Sequence, residues 1–135
     1  VVLDDEPSLL GWMRDRLVAG IQPMVDLSRE KTRVGRRAMW GRVSDMISQA
    51  MLMVAEEVPD PARYASDAEA LISTFPIKGD TKFFVVERNG ERRAFVTRAI
   101  CCQAYKYPEY GYCGSCPMLT QEERERLAVE AMVSG

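Results

Sequence analysis

The residues best suited to chemistry are four cysteines, which all lie within the segment CCQAYKYPEYGYCGSC. Cys101 and Cys102 are adjacent, and Cys113 and Cys116 flank a short turn that contains glycine. Thiolates are soft ligands that suit metal ions and iron–sulfur clusters. The chain has no histidine, which excludes mixed Cys/His metal sites, haem ligation through histidine and histidine-based acid–base catalysis. The four thiolates are therefore the candidate ligands of a metal or cluster in this segment.

Three uses of the clustered cysteines remain open. Disulfides are typical of small secreted domains, but a bridge between Cys101 and Cys102 would strain the peptide that links them. A four-cysteine zinc site suits Cys113 and Cys116, whereas the pair without a spacer departs from the usual zinc chelate. A 2Fe–2S cluster offers two metal centres, which adjacent cysteines reach with less strain. The spacing favours the cluster, with zinc as the alternative. We expect the tyrosines of the loop to shield the site from water: Tyr105, Tyr107, Tyr110 and Tyr112.

The elements on either side of the cysteines are predicted by local signals. KFFVVERNGERRAFVTR is predicted to form a β-hairpin, because Asn89-Gly90 is the strongest signal for a two-residue type I′ turn. Its second strand runs directly into Cys101. Thr120 and Glu123 have capping-box spacing, which predicts a final helix. The cysteine segment is therefore expected to lie between a strand and a helix.

Apolar residues at helical spacing predict helices over the first half of the chain. A first helix is expected from the Asp4–Pro7 start signal to Gly20, and a second over residues 23–34. The strongest helix is expected over residues 36–58, ended by Pro59 and Pro61, and a short one over residues 67–74, entered through Ser66 with Glu69 as its capping partner. The apolar stripe of the strongest helix is expected to face the core: Met39, Trp40, Val43, Met46, Ile47, Ala50, Met51 and Val54. The predicted class is α+β, mostly helical, with one β-hairpin that leads into the C-terminal cysteine loop and a final helix.

Composition limits the class of protein. The 135 residues, 47% hydrophobic and 28% charged, are typical of one globular domain, and we expect a helical part over 1–77 and the hairpin, cysteine loop and final helix over 78–135. Since the first residue is valine, a fragment of a longer protein is an alternative. The net charge of −2 disfavours nucleic acid as a partner, and no stretch is apolar enough for a transmembrane segment.

The charge is unevenly distributed along the chain. Between residues 78 and 106, seven basic residues outnumber three acidic ones. Alternate residues of a strand share a face, and a basic face can attract an acidic partner. Arg92, Arg93 and Arg98, on or beside the second strand, are therefore candidate contacts for an anionic substrate or an acidic electron donor.

The arrangement Cys-Cys, ten residues, Cys, two residues, Cys, followed by Pro117, resembles the C-terminal motif of the FhuF-type ferric siderophore reductases. The resemblance extends over FVTRAICCQAYKYPEYGYCGSCPM, and the helix MWGRVSDMISQAM is similar to the tryptophan-led helix of that family. It implies that the four cysteines bind a 2Fe–2S cluster: Cys101, Cys102, Cys113 and Cys116. It also implies that the protein acts in the cytoplasm.

The activity implied by the resemblance is one-electron reduction of ferric siderophores, which releases Fe(II). The hard oxygen donors of a siderophore bind Fe(III) far better than Fe(II). Plant-type 2Fe–2S clusters have reduction potentials of about −400 mV. No dinucleotide, Walker or flavin motif is present, so the electron is expected from a separate ferredoxin or NAD(P)H-dependent reductase. Two alternatives are a zinc-stabilised interaction module without enzymatic activity and a 2Fe–2S electron carrier without its own siderophore site.

Overall fold

The computed structural model describes residues 5–55, 59–76 and 81–134. Within these ranges the chain forms four α-helices and one two-stranded antiparallel hairpin. The elements are α1 (Glu6–Lys31), α2 (Arg36–Ala55), α3 (Pro61–Ser73), β1 (Lys82–Arg88), β2 (Glu91–Thr97) and α4 (Gln121–Ser134), with a 3₁₀ turn at Ala104–Lys106. The predicted α+β class, with its single hairpin and final helix, is confirmed. None of the described helices is both long and apolar enough to cross a membrane.

The hairpin and α4 form as the local signals predict. Asn89 and Gly90 both have positive φ, 52° and 81°, as a type I′ turn requires, and Arg88 pairs with Glu91 across it. Before α4, the backbone N–H of Thr120 donates to Glu123 Oε2 at 2.7 Å, and the N–H of Glu123 donates to Thr120 Oγ1 at 3.2 Å. The hairpin sets the direction in which the chain enters the cysteine segment, and the capping box sets the direction in which it leaves.

Two helix predictions were wrong: the helices expected up to Gly20 and over residues 23–34 form one helix, and the short helix begins earlier than expected. Helix α1 continues through Gly20 and Pro23 to Lys31. One glycine costs a helix only about 1 kcal/mol, and the packing of the helix, in which Val25 is buried, outweighs the loss of the backbone hydrogen bond that Pro23 cannot donate. Helix α3 begins at Pro61, six residues before the predicted start. Its N-cap is Asp60, whose carboxylate accepts from two N–H groups of the first turn, and proline is favoured at this position.

The core lies where α2, α3 and the hairpin meet. Trp40 of α2 is fully buried, and its ring centroid is 6.0 Å from that of Phe75. Leu71 and Ile72 of α3 are also buried, and Val96 of β2 closes the core from the sheet side. This packing holds the end of β2 against α2, where the cysteine segment begins.

The buried face of α2 overlaps only in part with the predicted apolar stripe. Met46 and Val54 are mostly exposed, while the buried positions are Trp40, Gly41, Ser44, Asp45, Ser48 and Ala55. Small side chains allow a neighbouring backbone to approach a helix closely, and the chain that follows β2 does so here. The prediction is confirmed for Trp40 and wrong for the exposed positions, because hydrophobic spacing alone does not show where a backbone segment packs closely on a helix.

Candidate metal centre

Helix α2 holds the segment that leads into the paired cysteines. The N–H of Ala99 donates to Asp45 Oδ1 at 2.8 Å, and Arg42 Nη2 donates to the carbonyl oxygen of Cys101 at 3.2 Å. Between these two contacts, Ile100 packs directly on Gly41. A Cβ at Gly41 would lie 2.2 Å from Ile100 Cγ1, so only glycine fits this contact. One face of α2 thus positions residues 99–101.

Burial and hydrogen bonding compete at Asp45. Its side chain is only 4% exposed, and burial raises the pKa of the carboxyl above its usual value. The N–H groups of Ala99 and Ile100, and the charges of Arg98 and Arg42, act in the opposite direction. Asp45 therefore serves as an acceptor for the backbone just before the cysteines.

The second pair of cysteines is held between β2 and α4. The N–H of Cys116 donates to the carbonyl oxygen of Cys113 at 2.9 Å, which closes the turn, and the N–H of Arg98 donates to Ser115 O at 2.9 Å. From α4, Arg124 Nη1 donates to the carbonyl oxygens of Cys116 and Leu119. Each cysteine pair is thus supported by a helix, α2 for the first and α4 for the second.

The thiols form two pairs in space, and each pair combines one cysteine of Cys101–Cys102 with one cysteine of Cys113–Cys116. Cys101 Sγ is 3.8 Å from Cys116 Sγ. Arg98 Nη2 lies 2.6 Å from Cys113 Sγ and 3.5 Å from Cys102 Sγ, so one nitrogen joins the other two thiols. All four cysteines are free, and 3.8 Å is well beyond a disulfide bond of about 2.0 Å.

This donor set fits a two-metal cluster better than a single ion. A tetrahedral zinc site needs four ligands around one point, which the adjacent Cys101 and Cys102 would reach only with strain. The two thiol pairs supply ligands for two centres. Arg98 Nε is buried and has no hydrogen-bond partner among the described residues, which leaves a donor for an anionic sulfur at the same place.

Exposure differs sharply across the site. Cys116 is 2% exposed, Cys101 and Cys113 are half-buried, and Cys102 is exposed. Burial raises the pKa of the Cys116 thiol. The N–H of Ala104, followed by the guanidinium of Arg98, lowers the pKa of the Cys102 thiol below its usual value. The site thus has an outer edge at Cys102 and an inner edge at Cys116.

This asymmetry predicts the order in which the metal-free cysteines react. Cys102 is expected to be alkylated by iodoacetamide at least ~10-fold faster than Cys116 at neutral pH, because the thiolate is the nucleophile and Cys102 is exposed with a lowered pKa. Its rate should reach a plateau at a lower pH than that of Cys116. Peptide mass spectrometry over a pH series measures both rates, and equal rates for the two thiols would contradict the described geometry.

The predicted tyrosine shield is not formed as expected. Tyr105 and Tyr112 pack together, with ring centroids 4.8 Å apart. Tyr107 and Tyr110 are 62% and 60% exposed, and Tyr112 is 49% exposed. A loop of mostly polar residues outside the core offers these rings no apolar surface to cover. The loop leaves the Cys102 edge open to solvent.

The three candidate arginines do not share one surface. Arg98 points at the thiols of Cys102 and Cys113, whereas Arg92 is exposed on the hairpin. Arg93 forms an ion pair with Glu91 at 2.9 Å. Arg98 lies six positions after Arg92, just beyond the end of β2, a distance of about 20 Å in extended chain. Substrate or donor contact by any of the three stays a prediction.

An open groove borders the inner side of the site. It lies between α1 and α2, has a volume of about 670 Å³ and reaches Cys101. Its lining is mainly apolar and includes Val25, Met39 and Ile100, with Arg42 among the polar residues. Ligand pockets commonly have volumes of about 300–1,000 Å³. The groove has room for a small molecule in contact with a cysteine of the site.

Sequence reasoning missed the residues that support the cysteines from the helices. Gly41, Arg42 and Asp45 lie on α2, and Arg124 lies on α4. The signal for the first group is GRVSDMIS, in which glycine, serine and aspartate recur at helical spacing where core side chains were expected. Arg124 carries no comparable signal, since α4 is rich in exposed charges.

Comparison with known proteins identifies the cysteine segment. No curated protein and no solved structure matches this chain. Residues 98–117 match the family model of the FhuF 2Fe-2S C-terminal domain, and all four cysteines fall inside the match at the spacing described above. The resemblance predicted from the sequence is thereby confirmed. The segment that carries the thiols is similar to the C-terminal 2Fe-2S domain of the FhuF family.

Proposed function

We propose that this protein is an iron–sulfur reductase that transfers one electron to a ferric siderophore in the cytoplasm and so releases Fe(II). The observation that carries the proposal is the arrangement of four free thiols in two pairs, within a segment that matches the FhuF 2Fe-2S C-terminal domain. When bound, a 2Fe–2S cluster supplies one low-potential electron. The siderophore iron accepts that electron, and no covalent bond to the protein forms or breaks.

Each part of the chain has a stated task in this proposal. Cys101, Cys102, Cys113 and Cys116 hold the cluster. Asp45 and its neighbours on α2 fix the position of the first pair, and Arg124 fixes the second. The exposed edge at Cys102 gives an external donor access to the site. The donor is a separate ferredoxin or an NAD(P)H-dependent reductase.

We assign the ferric chelate and the protein electron donor to different docking sites. We place the ferric chelate in the groove that reaches Cys101, because a small molecule bound there contacts a cysteine of the site. Arg92 and Arg93 lie about 17–20 Å along the hairpin from Arg98, so a small chelate that contacts Arg98 cannot reach them. A protein donor covers about 800 Å² on each partner, which is enough to contact the basic hairpin and the Cys102 edge together.

The test begins with the anaerobically purified protein. Its visible spectrum is recorded before and after dithionite, and iron, sulfide and zinc are counted on the same sample. A brown protein that bleaches on reduction and holds iron with sulfide is expected. One zinc per chain, before and after cluster reconstitution, would favour the interaction module.

Substrate reduction is the second part of the test. The reduced protein is mixed with ferric hydroxamate or catecholate siderophores in the presence of a ferrous-iron chelator. Rapid reoxidation with matching formation of the ferrous complex is expected for at least one class. A protein that holds the cluster but reduces no chelate faster than free dithionite does would be an electron carrier.

A further inference from the structure

A positive charge is built into the cysteine site. Arg98 Nη2 donates to Cys113 Sγ at 2.6 Å and to Cys102 Sγ at 3.5 Å. The residue is half-buried, and its backbone N–H is held by Ser115 O at 2.9 Å. Both the main chain and the side chain of Arg98 are therefore fixed by the turn that carries the second cysteine pair.

The charge of this guanidinium is directed at sulfur. Among the described residues, no carboxylate forms an ion pair with Arg98. The nearest acidic influence is Asp45, whose Oδ1 accepts from the N–H of Ala99. Arg98 is cationic at neutral pH, because the guanidinium of arginine is not deprotonated in proteins.

We propose that Arg98 is the counter-charge that raises the reduction potential of the site and thereby limits which ferric chelates the protein can reduce. This inference rests on the proposed function. A cluster held by four thiolates is anionic and becomes more negative when it gains an electron, so a fixed cation stabilises the reduced state more than the oxidised state. Hydrogen bonds to the ligand sulfurs act in the same direction.

The partial burial of Arg98 decides how strong this effect is. Charges that are exposed and separated by more than about 8 Å are screened at physiological ionic strength. Arg98 is half-buried and in direct contact with two sulfurs, so salt screens its effect on them less than that of an exposed and distant charge. Arg88 is the last residue of β1 and pairs with Glu91 of β2, which lies seven residues, or about 23 Å, along the chain from Arg98. Arg88 carries the same charge and provides a matched control.

The functional consequence is a balance between accepting and delivering the electron. With Arg98 in place, the site is easier for an external donor to reduce but is a weaker reductant toward its substrate. Without the charge, the site could reduce Fe(III) that is held more tightly, but the external donor would reduce the site less readily. Arg98 therefore acts as a residue that sets substrate range without needing to touch the substrate.

The experiment is a redox titration of the protein with its cluster bound, followed by visible absorption and electron paramagnetic resonance. The wild type is compared with Arg98→Gln, Arg98→Lys and Arg88→Gln. Arg98→Gln is expected to lower the equilibrium constant for reduction at least ~10-fold, equivalent to a negative shift of about 59 mV for a one-electron couple. Arg98→Lys should stay within ~3-fold of the wild type, because charge is retained, and Arg88→Gln should not differ.

Each outcome supports or overturns the inference. A cluster-bound Arg98→Gln with the wild-type potential would overturn it while leaving the proposed function intact. If Arg98→Gln binds no cluster, Arg98→Lys decides, and a shift as large as 10-fold in the lysine variant would overturn the counter-charge account. A wild-type protein that holds no cluster even after reconstitution would overturn both the inference and the proposed function.

Discussion

Serine in place of Cys102 is expected to reduce the iron and sulfide bound by the purified protein at least ~10-fold. Serine offers an oxygen donor, which is a hard ligand and a poor substitute for thiolate in a soft donor set. Because Cys102 is exposed, the substitution should leave the fold undisturbed. Iron and sulfide assays, together with the visible spectrum, measure the loss. Circular dichroism checks that the helices remain.

The same substitution at Cys116 is expected to have a larger effect. Cys116 is 2% exposed, so its replacement removes a ligand and also buries a hydroxyl, at a cost of about 1–3 kcal/mol if that group finds no partner. Met118→Ala is the control from the adjacent turn, since the side chain of Met118 is 62% exposed and the substitution keeps its backbone contacts. Retention of full iron and visible absorbance in the Cys102 variant would contradict the assignment of the ligands.

Alanine in place of Gly41 is expected to destabilise the protein by about 1–3 kcal/mol, the usual cost of overpacking, and to lower cluster incorporation. The new methyl group would overlap Ile100, a β-branched residue with little rotamer freedom. Ile100 must then move, and Cys101 moves with it. Urea unfolding and iron content after reconstitution measure the two effects. The loss is expected although alanine favours a helix over glycine by about 1 kcal/mol.

Two further variants make this prediction specific. Gly20→Ala in α1 places a methyl group where no atom lies within 4 Å, so the same change should stabilise the protein there. Adding Ile100→Ala to Gly41→Ala removes the overlapping atoms and should restore iron binding. A double variant as poor as Gly41→Ala alone would mean that the contact between α2 and residue 100 does not position the cysteines.

Local signals predicted those parts of the fold that local interactions determine. The type I′ turn at Asn89-Gly90 and the capping box of Thr120 and Glu123 each depend on residues within a few positions of one another, and both formed where expected. The spacing of the cysteines likewise indicated a shared site. These features need no knowledge of distant neighbours, which is why the sequence alone was enough.

Tertiary packing determined the features that were missed. Gly20 and Pro23 interrupt the helical pattern, yet α1 continues through them. Glu69 was expected to cap α3, but it accepts from the N–H of Phe83 at 2.6 Å. Because α3 begins at Pro61, its N-cap is Asp60, and Glu69 lies inside the helix. The polar side of α2 was missed for a similar reason, since its partner is a backbone segment more than fifty residues away.

The crossed pairing of the thiols also bears on how long the protein survives in a cell. A metal bridge between Cys101 and Cys116 would join two residues that lie 15 positions apart. Because the ligands are assembled in the folded chain and not in the unfolded one, binding would stabilise the fold. The bridge connects the segment on α2 to the turn that precedes α4. Molecules without iron would open at this end more often and be degraded sooner, so the supply of iron would itself set the abundance of the protein.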